Sequence, residues 1–308
     1  MRVELARTAG FCYGVRRAVA LTEETAARGG CWMLGDLIHN AHVVEDLRRR
    51  GVRKTDRPDE IPAGQTVVLR SHGELRSVLE ELEGRGVKTV SATCPNVVRI
   101  QRLAAQAESE GRRCVVIGDP NHPEVRGIAS WGRDTLVFDG PEAVKMWLAA
   151  DAEHRKIPLT VVVQTTCIRE IFETSCEILK KECTNVKIFD TICNATQVRQ
   201  TEASQIAAES DFMVVIGDRH SSNTGKLFDI CKRQCENTVL IETAAELDLN
   251  KVSVAESIGV TAGASTPARI IKEVLDTMSE VKSGETNLEP SFEEMLEESL
   301  KTLIQTRG

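Results

Sequence analysis

The chain has 308 residues, enough for one large domain or two or three small ones around a substantial core. Its 41% hydrophobic and 28% charged residues exclude disordered and collagen-like classes, and a net charge of −7 with 4% aromatic residues excludes a dedicated nucleic-acid binder. No apolar run approaches the roughly 20 residues of a membrane span, and the N-terminus lacks the pattern of a signal peptide, so a cytoplasmic protein with no membrane partner is expected.

Short apolar runs alternate with helix-period stretches along the chain, the pattern of an α/β fold. Residues 3–12 (VELARTAGFC) end in cysteine. Residues 32–39 (WMLGDLIH) end in Gly-Asp followed by histidine, residues 66–73 (TVVLRSHG) in Ser-His-Gly, and residues 88–94 (KTVSATC) again in cysteine. The succession returns as 114–122 (CVVIGDPNH), 159–166 (LTVVVQTT) and 186–193 (VKIFDTIC), and then as 213–221 (MVVIGDRHS) and 258–265 (IGVTAGAS). Gly35, Gly118 and Gly217 are 83 and 99 residues apart; Cys12, Cys94 and Cys193 are 82 and 99 apart; Thr166 and Ser265 are again 99 apart.

Independent elements would not keep step in this way, so three related α/β modules are expected. Their bounds are 14–95, 96–193 and 194–280, preceded by a strand segment at 1–13 that carries the first cysteine. A polar linker and an amphipathic helix follow at 281–308, where Ser291 and Glu294 form a capping signal before apolar residues at helical spacing. Modules placed around a pseudo-threefold axis, strand C-termini inward, would bring three cysteines, three Gly-Asp turns and three Ser/His/Thr turns to one place. Open parallel sheets bind their ligands at that end.

Ten cysteines in a reducing compartment imply metal chemistry, redox chemistry or packing, not a disulfide framework, and no pair has C-x-x-C spacing. Cys12, Cys94 and Cys193 each precede a helix-like stretch, where the helix dipole, together with Arg16 and Arg17 near Cys12, would favour thiolate. The other seven, Cys31, Cys114, Cys167, Cys176, Cys183, Cys231 and Cys235, read as small core residues. Three thiolates on an axis suit an iron–sulfur cluster with one iron left open as a Lewis acid, and a three-cysteine zinc site is the non-redox competitor.

The turn residues His39, His72, His122, Thr165, Ser221, Ser222, Asn223 and Ser265 are mostly neutral donors that could cradle a phosphate or diphosphate beside helix N-termini. Residues 221–226 (SSNTGK) fail as a Walker A loop, since no glycine stands five residues before Gly225 and Leu227 replaces the Ser/Thr. Glu124, two residues after His122, would suit proton delivery; a surface acid is the other reading. His42 is expected on one helix turn with His39, and His154 in solvent. No strand is followed by G-x-G-x-x-G, which argues against a nicotinamide or flavin.

Taken together, GFCYGVRRAV (10–19), LIHNAHVVEDLRRRG (37–51), RSHG (70–73), ATCPNV (92–97), GDPNHPEVRG (118–127), VVQTT (162–166), DTICNATQVRQ (190–200), GDRHSSNTGKL (217–227) and GVTAGASTP (259–267) resemble the 4-hydroxy-3-methylbut-2-enyl diphosphate reductases of the non-mevalonate isoprenoid pathway. The likeness runs from about residue 1 to 280. It implies a three-module α/β fold around a [4Fe-4S] cluster held by Cys12, Cys94 and Cys193 with one iron open. It implies an allylic diphosphate substrate, its hydroxyl removed with two electrons and two protons to give isopentenyl and dimethylallyl diphosphates. His39, His72, His122, Ser221, Ser222, Asn223 and Ser265 would hold the diphosphate; Glu124 would relay protons, Thr165 would orient the hydroxyl, and ferredoxin or flavodoxin would supply electrons. The tail segment FEEMLEESLKTL looks like the linker into ribosomal-S1-type repeats of some bacterial fusions. From the residues alone, a non-redox metal enzyme and a phosphate-ligand binding protein remain the alternatives.

Overall fold

A computed structural model of the protein describes residues 2–281; the amphipathic helix expected in the tail lies outside the described residues. The described residues divide into two compact units, one built from Cys12–Gln197 and the other from residues 2–11 with 198–281.

The Cys12–Gln197 unit contains two four-stranded sheets, parallel throughout. The first has the order β3 (Arg53–Thr55), β2 (Trp32–Leu34), β4 (Thr66–Leu69), β5 (Lys88–Ser91), with Met33 level with Val68 and Val68 with Val90. The second has the order β7 (Leu136–Phe138), β6 (Arg113–Ile117), β8 (Leu159–Val163), β9 (Val186–Ile188), with Val115 level with Val161. In the other unit the order is β11 (Thr238–Ile241), β10 (Phe212–Ile216), β12 (Ser257–Ala262), β1 (Arg2–Leu5), again all parallel. Here β1, from the expected N-terminal segment, closes the sheet made by the last strands, Val3 lying level with Ile258.

One plan is used three times: in every sheet the Gly-Asp strand and the Ser/His/Thr strand lie in the middle, and the strand leading to a cysteine lies at the edge. Burial explains it. RCVVI, LTVVV and FMVVI are continuous apolar runs, as strands covered on both faces require, whereas KTVS at the edge is mostly exposed. Parallel neighbours need crossovers, and α1 (Tyr13–Ala27), α2 (Ala41–Arg49), α3 (Arg76–Gly84), α4 (Pro95–Ser109), α5 (Pro123–Ala129), α6 (Pro141–Ala150), α7 (Arg169–Glu182), α8 (Asn194–Ala208), α9 (Ser222–Gln234), α10 (Leu249–Val254) and α11 (Ala268–Glu280) occur along the chain between or after the strands. Each sheet has its own core. Ile100 and Ala104 of α4 pack with Val116 and Val162; Ala203 and Ala207 of α8 pack with Met213 and Val215. Each fully buried Ile or Val side chain contributes about 1.5–3 kcal/mol.

The seven cysteines expected to pack are all buried and all free, and burial pushes the thiols of Cys114, Cys176 and Cys231 up to about 12. No helix among the described residues is long and apolar enough to cross a membrane.

Candidate active site

Each strand that leads to a cysteine ends at the C-terminal edge of its sheet, and the cysteine then starts a helix. Cys12 and Cys94 are the N-cap residues of α1 and α4, and Cys193 directly precedes α8. The three sulfurs come from separate elements yet line one open cavity of ≈ 370 Å³, together with Gly14, Asn96, Arg99 and Thr191.

Several contacts fix this arrangement. The amide of Cys94 donates to the carbonyl of Ser71 at 2.9 Å, and that of Cys193 to the carbonyl of Thr165 at 3.0 Å, so each cysteine hangs from the turn after the neighbouring strand. The Arg17 guanidinium on α1 donates to the carbonyls of Thr93 and Ser91, both at 3.2 Å, and ties the Cys94 turn to the Cys12 helix. Gly14 is required for the fit: a Cβ there would stand 2.8 Å from Cys94 Sγ and 3.9 Å from Cys12 Sγ.

Burial pushes the Cys94 thiol up to about 11. The amides of Asn96 and Val97 face its sulfur and oppose that shift, without closing a full cap hydrogen bond. At Cys94 desolvation thus outweighs the helix terminus that was expected to favour thiolate. Among the described residues, no three His, Cys, Asp or Glu side chains are grouped to hold a single metal ion. Three cysteines lining one cavity are the donor set an iron–sulfur cluster takes, since cysteine sulfur is its usual ligand.

A second group lies in the same unit. The ring centroids of His39 and His72 are 4.2 Å apart, those of His39 and His122 5.4 Å, and those of His72 and His122 5.6 Å. His122 is the N-cap of α5, its Nδ1 accepting the Glu124 amide at 3.1 Å, which leaves the proton of the neutral ring on Nε2. Burial first, then His39, His122 and Arg70, holds His72 well below the usual imidazole range. Glu124 is 2% exposed; its Oε1 accepts the Thr165 amide and its Oε2 the Thr165 hydroxyl, both at 2.7 Å. The surface-acid reading of Glu124 is thereby removed.

In the other unit, Ser221 caps α9, its Oγ accepting the Thr224 amide, and Ser222 and Asn223 fill the first turn. Asn223 is buried, with both side-chain polar atoms lacking a hydrogen-bond partner. Ser265, also buried, lies in the turn after β12, and Gly217 lets the turns meet: a Cβ there would come within 2.8 Å of both Thr224 Oγ1 and Thr266 Oγ1. An orphaned buried amide at a helix N-terminus is the kind of group an anion would satisfy.

Two expectations are corrected. His39 is not on a helix turn with His42; it lies in the preceding loop, because Asn40 caps α2 by accepting the Val43 amide. His154 is only partly in solvent: it is half-buried, its ring stacks on Trp147 at 4.5 Å and 8°, and its Nδ1 lies 2.7 Å from the Trp147 carbonyl. The sequence reading missed Gly14 and Asn96, and took Arg17 only as charge near Cys12, not as the tie to the Cys94 turn. Their nearness in sequence to Cys12 and Cys94 was a signal, but their partners lie far along the chain.

A model of the LytB protein family matches residues 3–279. The 4-hydroxy-3-methylbut-2-enyl diphosphate reductase of Caldanaerobacter subterraneus subsp. tengcongensis is 37% identical over 294 residues, 93% of this chain and 100% of the relative. A solved structure of (E)-4-hydroxy-3-methyl-but-2-enyl diphosphate reductase, described as the terminal enzyme of the non-mevalonate pathway, is similar with a TM-score of 0.66 at 36% identity, covering 91% of this chain and 100% of that one. The structure of the E-1-hydroxy-2-methyl-but-2-enyl-4-diphosphate reductase from Plasmodium falciparum is similar with a TM-score of 0.83 at 25% identity, covering 89% and 87%.

Proposed function

Since the chain belongs to the LytB family, we propose that it is an iron–sulfur reductase that converts 4-hydroxy-3-methylbut-2-enyl diphosphate to isopentenyl and dimethylallyl diphosphates. The observation that carries this reading is the meeting of Cys12, Cys94 and Cys193, from three separate elements, in one cavity shaped by the missing Cβ of Gly14. Overall, the allylic C–O bond is broken, two electrons and two protons are consumed, and the hydroxyl leaves as water. A [4Fe-4S] cluster held by these three cysteines would, when bound, supply electrons singly and an iron without a protein ligand.

The chain's own residues do the rest. Hydroxide is a poor leaving group, so a proton must be delivered to it. Glu124 holds that proton: once protonated, its Oε2 donates to Thr165 Oγ1, whose own hydroxyl is then free to turn toward the substrate. The amide of Thr165 on Oε1 fixes the carboxyl plane through this exchange. His39, His72 and His122 present ring N–H donors to the diphosphate, burial favouring the neutral form of His72, and His122 joins that group to the Glu124 turn through its own cap. Ser221, Ser222 and Asn223 at the start of α9, with Ser265, form a second set of donors suited to a diphosphate. Ferredoxin or flavodoxin is the electron donor in this reading, and the cytoplasm its compartment.

Protein purified without oxygen should be brown, contain about four irons and four acid-labile sulfides per chain, and consume the substrate with a low-potential reductant. Cys94→Ser and Cys193→Ser should bleach it and abolish turnover. A colourless wild type without labile sulfide would overturn the function.

A further inference from the structure

Asn96 occupies the second position of α4, two residues after Cys94, and lines the cysteine cavity. Its side-chain Nδ2 donates to the sulfur of Cys193 at 3.2 Å, across 97 residues of chain. Its backbone amide is one of the two that face the sulfur of Cys94. One residue therefore donates to one sulfur of the cavity and stands at the helix start beside another. Only the amide nitrogen suits a thiolate, because the oxygen would be repelled by it.

We infer that the Asn96 side chain holds the Cys193 sulfur and raises the reduction potential of the cluster, a role that depends on the cluster proposed above. Adding an electron to such a cluster puts more negative charge on its thiolates, and an N–H···S bond strengthens as that charge grows. The donor thus favours the reduced state, since hydrogen bonds to sulfur are among the levers that set these potentials. Asn96 acts through Cys193 and is a positioning residue, not a catalytic one. Its side chain is exposed, so replacing it leaves the cores intact.

The test is an anaerobic redox titration, followed by electron paramagnetic resonance, of wild type, Asn96→Leu and Asn96→Asp, with iron and sulfide measured on each. At the wild-type midpoint, Asn96→Leu should show about a tenfold lower ratio of reduced to oxidised cluster, which is about 59 mV for a one-electron couple. Asn96→Asp, nearly the same shape but only an acceptor when ionised, should fall further; an acid in the first turn of a helix is favourable, so this variant keeps the fold should the leucine variant fail to load. Intact clusters with one midpoint in all three proteins would overturn the inference and leave the function standing. A wild type without iron and sulfide would overturn the function, and the role of Asn96 with it.

Discussion

At the scale of single residues, the proposed chemistry turns on a carboxyl, that of Glu124, whose two oxygens both accept from Thr165. Glu124→Gln keeps the shape of those contacts, since the new oxygen can accept from the Thr165 amide and the new nitrogen can donate to its hydroxyl. What it removes is a transferable proton. Turnover should fall by about 100-fold or more with little change in KM, while iron content stays at the wild-type level; steady-state kinetics with metal analysis checks both. His72 carries a different expectation. Its folded value lies below that of a free imidazole, because burial and neighbouring His39, His122 and Arg70 all oppose its charge. The unfolded chain therefore binds its proton first as pH falls. The stability due to neutral His72 is complete above about 6.5 and is lost as the pH drops from there toward its folded value. Urea titrations of wild type at about pH 7.5 and 5.5 should show this loss, and His72→Gln should lessen it. Added inorganic pyrophosphate should offset part of it, because an anion among the imidazoles favours their charged form.

At the scale of elements, α1 reaches the cysteine cavity only because Gly14 has no side chain. Alanine is the better helix former by about 1 kcal/mol, so Gly14→Ala should leave the protein folded in far-UV circular dichroism. It should nevertheless lose most of its iron and sulfide, since the new methyl would stand 2.8 Å from Cys94 Sγ. A variant with wild-type iron content would show that α1 can retreat. The turn after β4 depends on a pair instead. Arg70 donates to Glu74 at 2.7 Å and to the Gly73 carbonyl at 3.2 Å, with Glu74 only 4% exposed in its side chain. Arg70→Met would leave that carboxylate buried and uncompensated, at a cost of about 3–5 kcal/mol read as a fall in urea midpoint. Glu74→Gln in the same background should recover much of it.

At the scale of the whole molecule, the buried clusters of the three sheets contain other cysteines but none of Cys12, Cys94 and Cys193. The fold is thus held by Val, Ile and Leu side chains from strands and crossovers, and the cysteine cavity is an addition to it. Removing the proposed cluster with a chelator and an oxidant should leave the far-UV spectrum intact while lowering Tm, because a group that binds only the folded chain stabilises it by mass action. Loss of secondary structure on cluster removal would show instead that the metal group is needed to fold the chain.

The α/β class, the three-times-repeated order of turns and the special standing of three cysteines among ten were legible in the sequence. They depend on local patterning: apolar runs of strand length, Gly-Asp after a strand, and a fixed spacing between repeats. Within the Cys12–Gln197 unit, folding decided which of those turns meet. It placed Glu124 against Thr165 across 41 residues and Asn96 against Cys193 across 97. It also overruled local inference where burial competes with a neighbour's charge or a cap: Cys94 is desolvated despite its helix terminus, and His39 is set off the helix by Asn40. The physical reason is that propensity and periodicity act over a few residues, whereas desolvation and hydrogen bonding between turns depend on which strands the packed sheets place side by side.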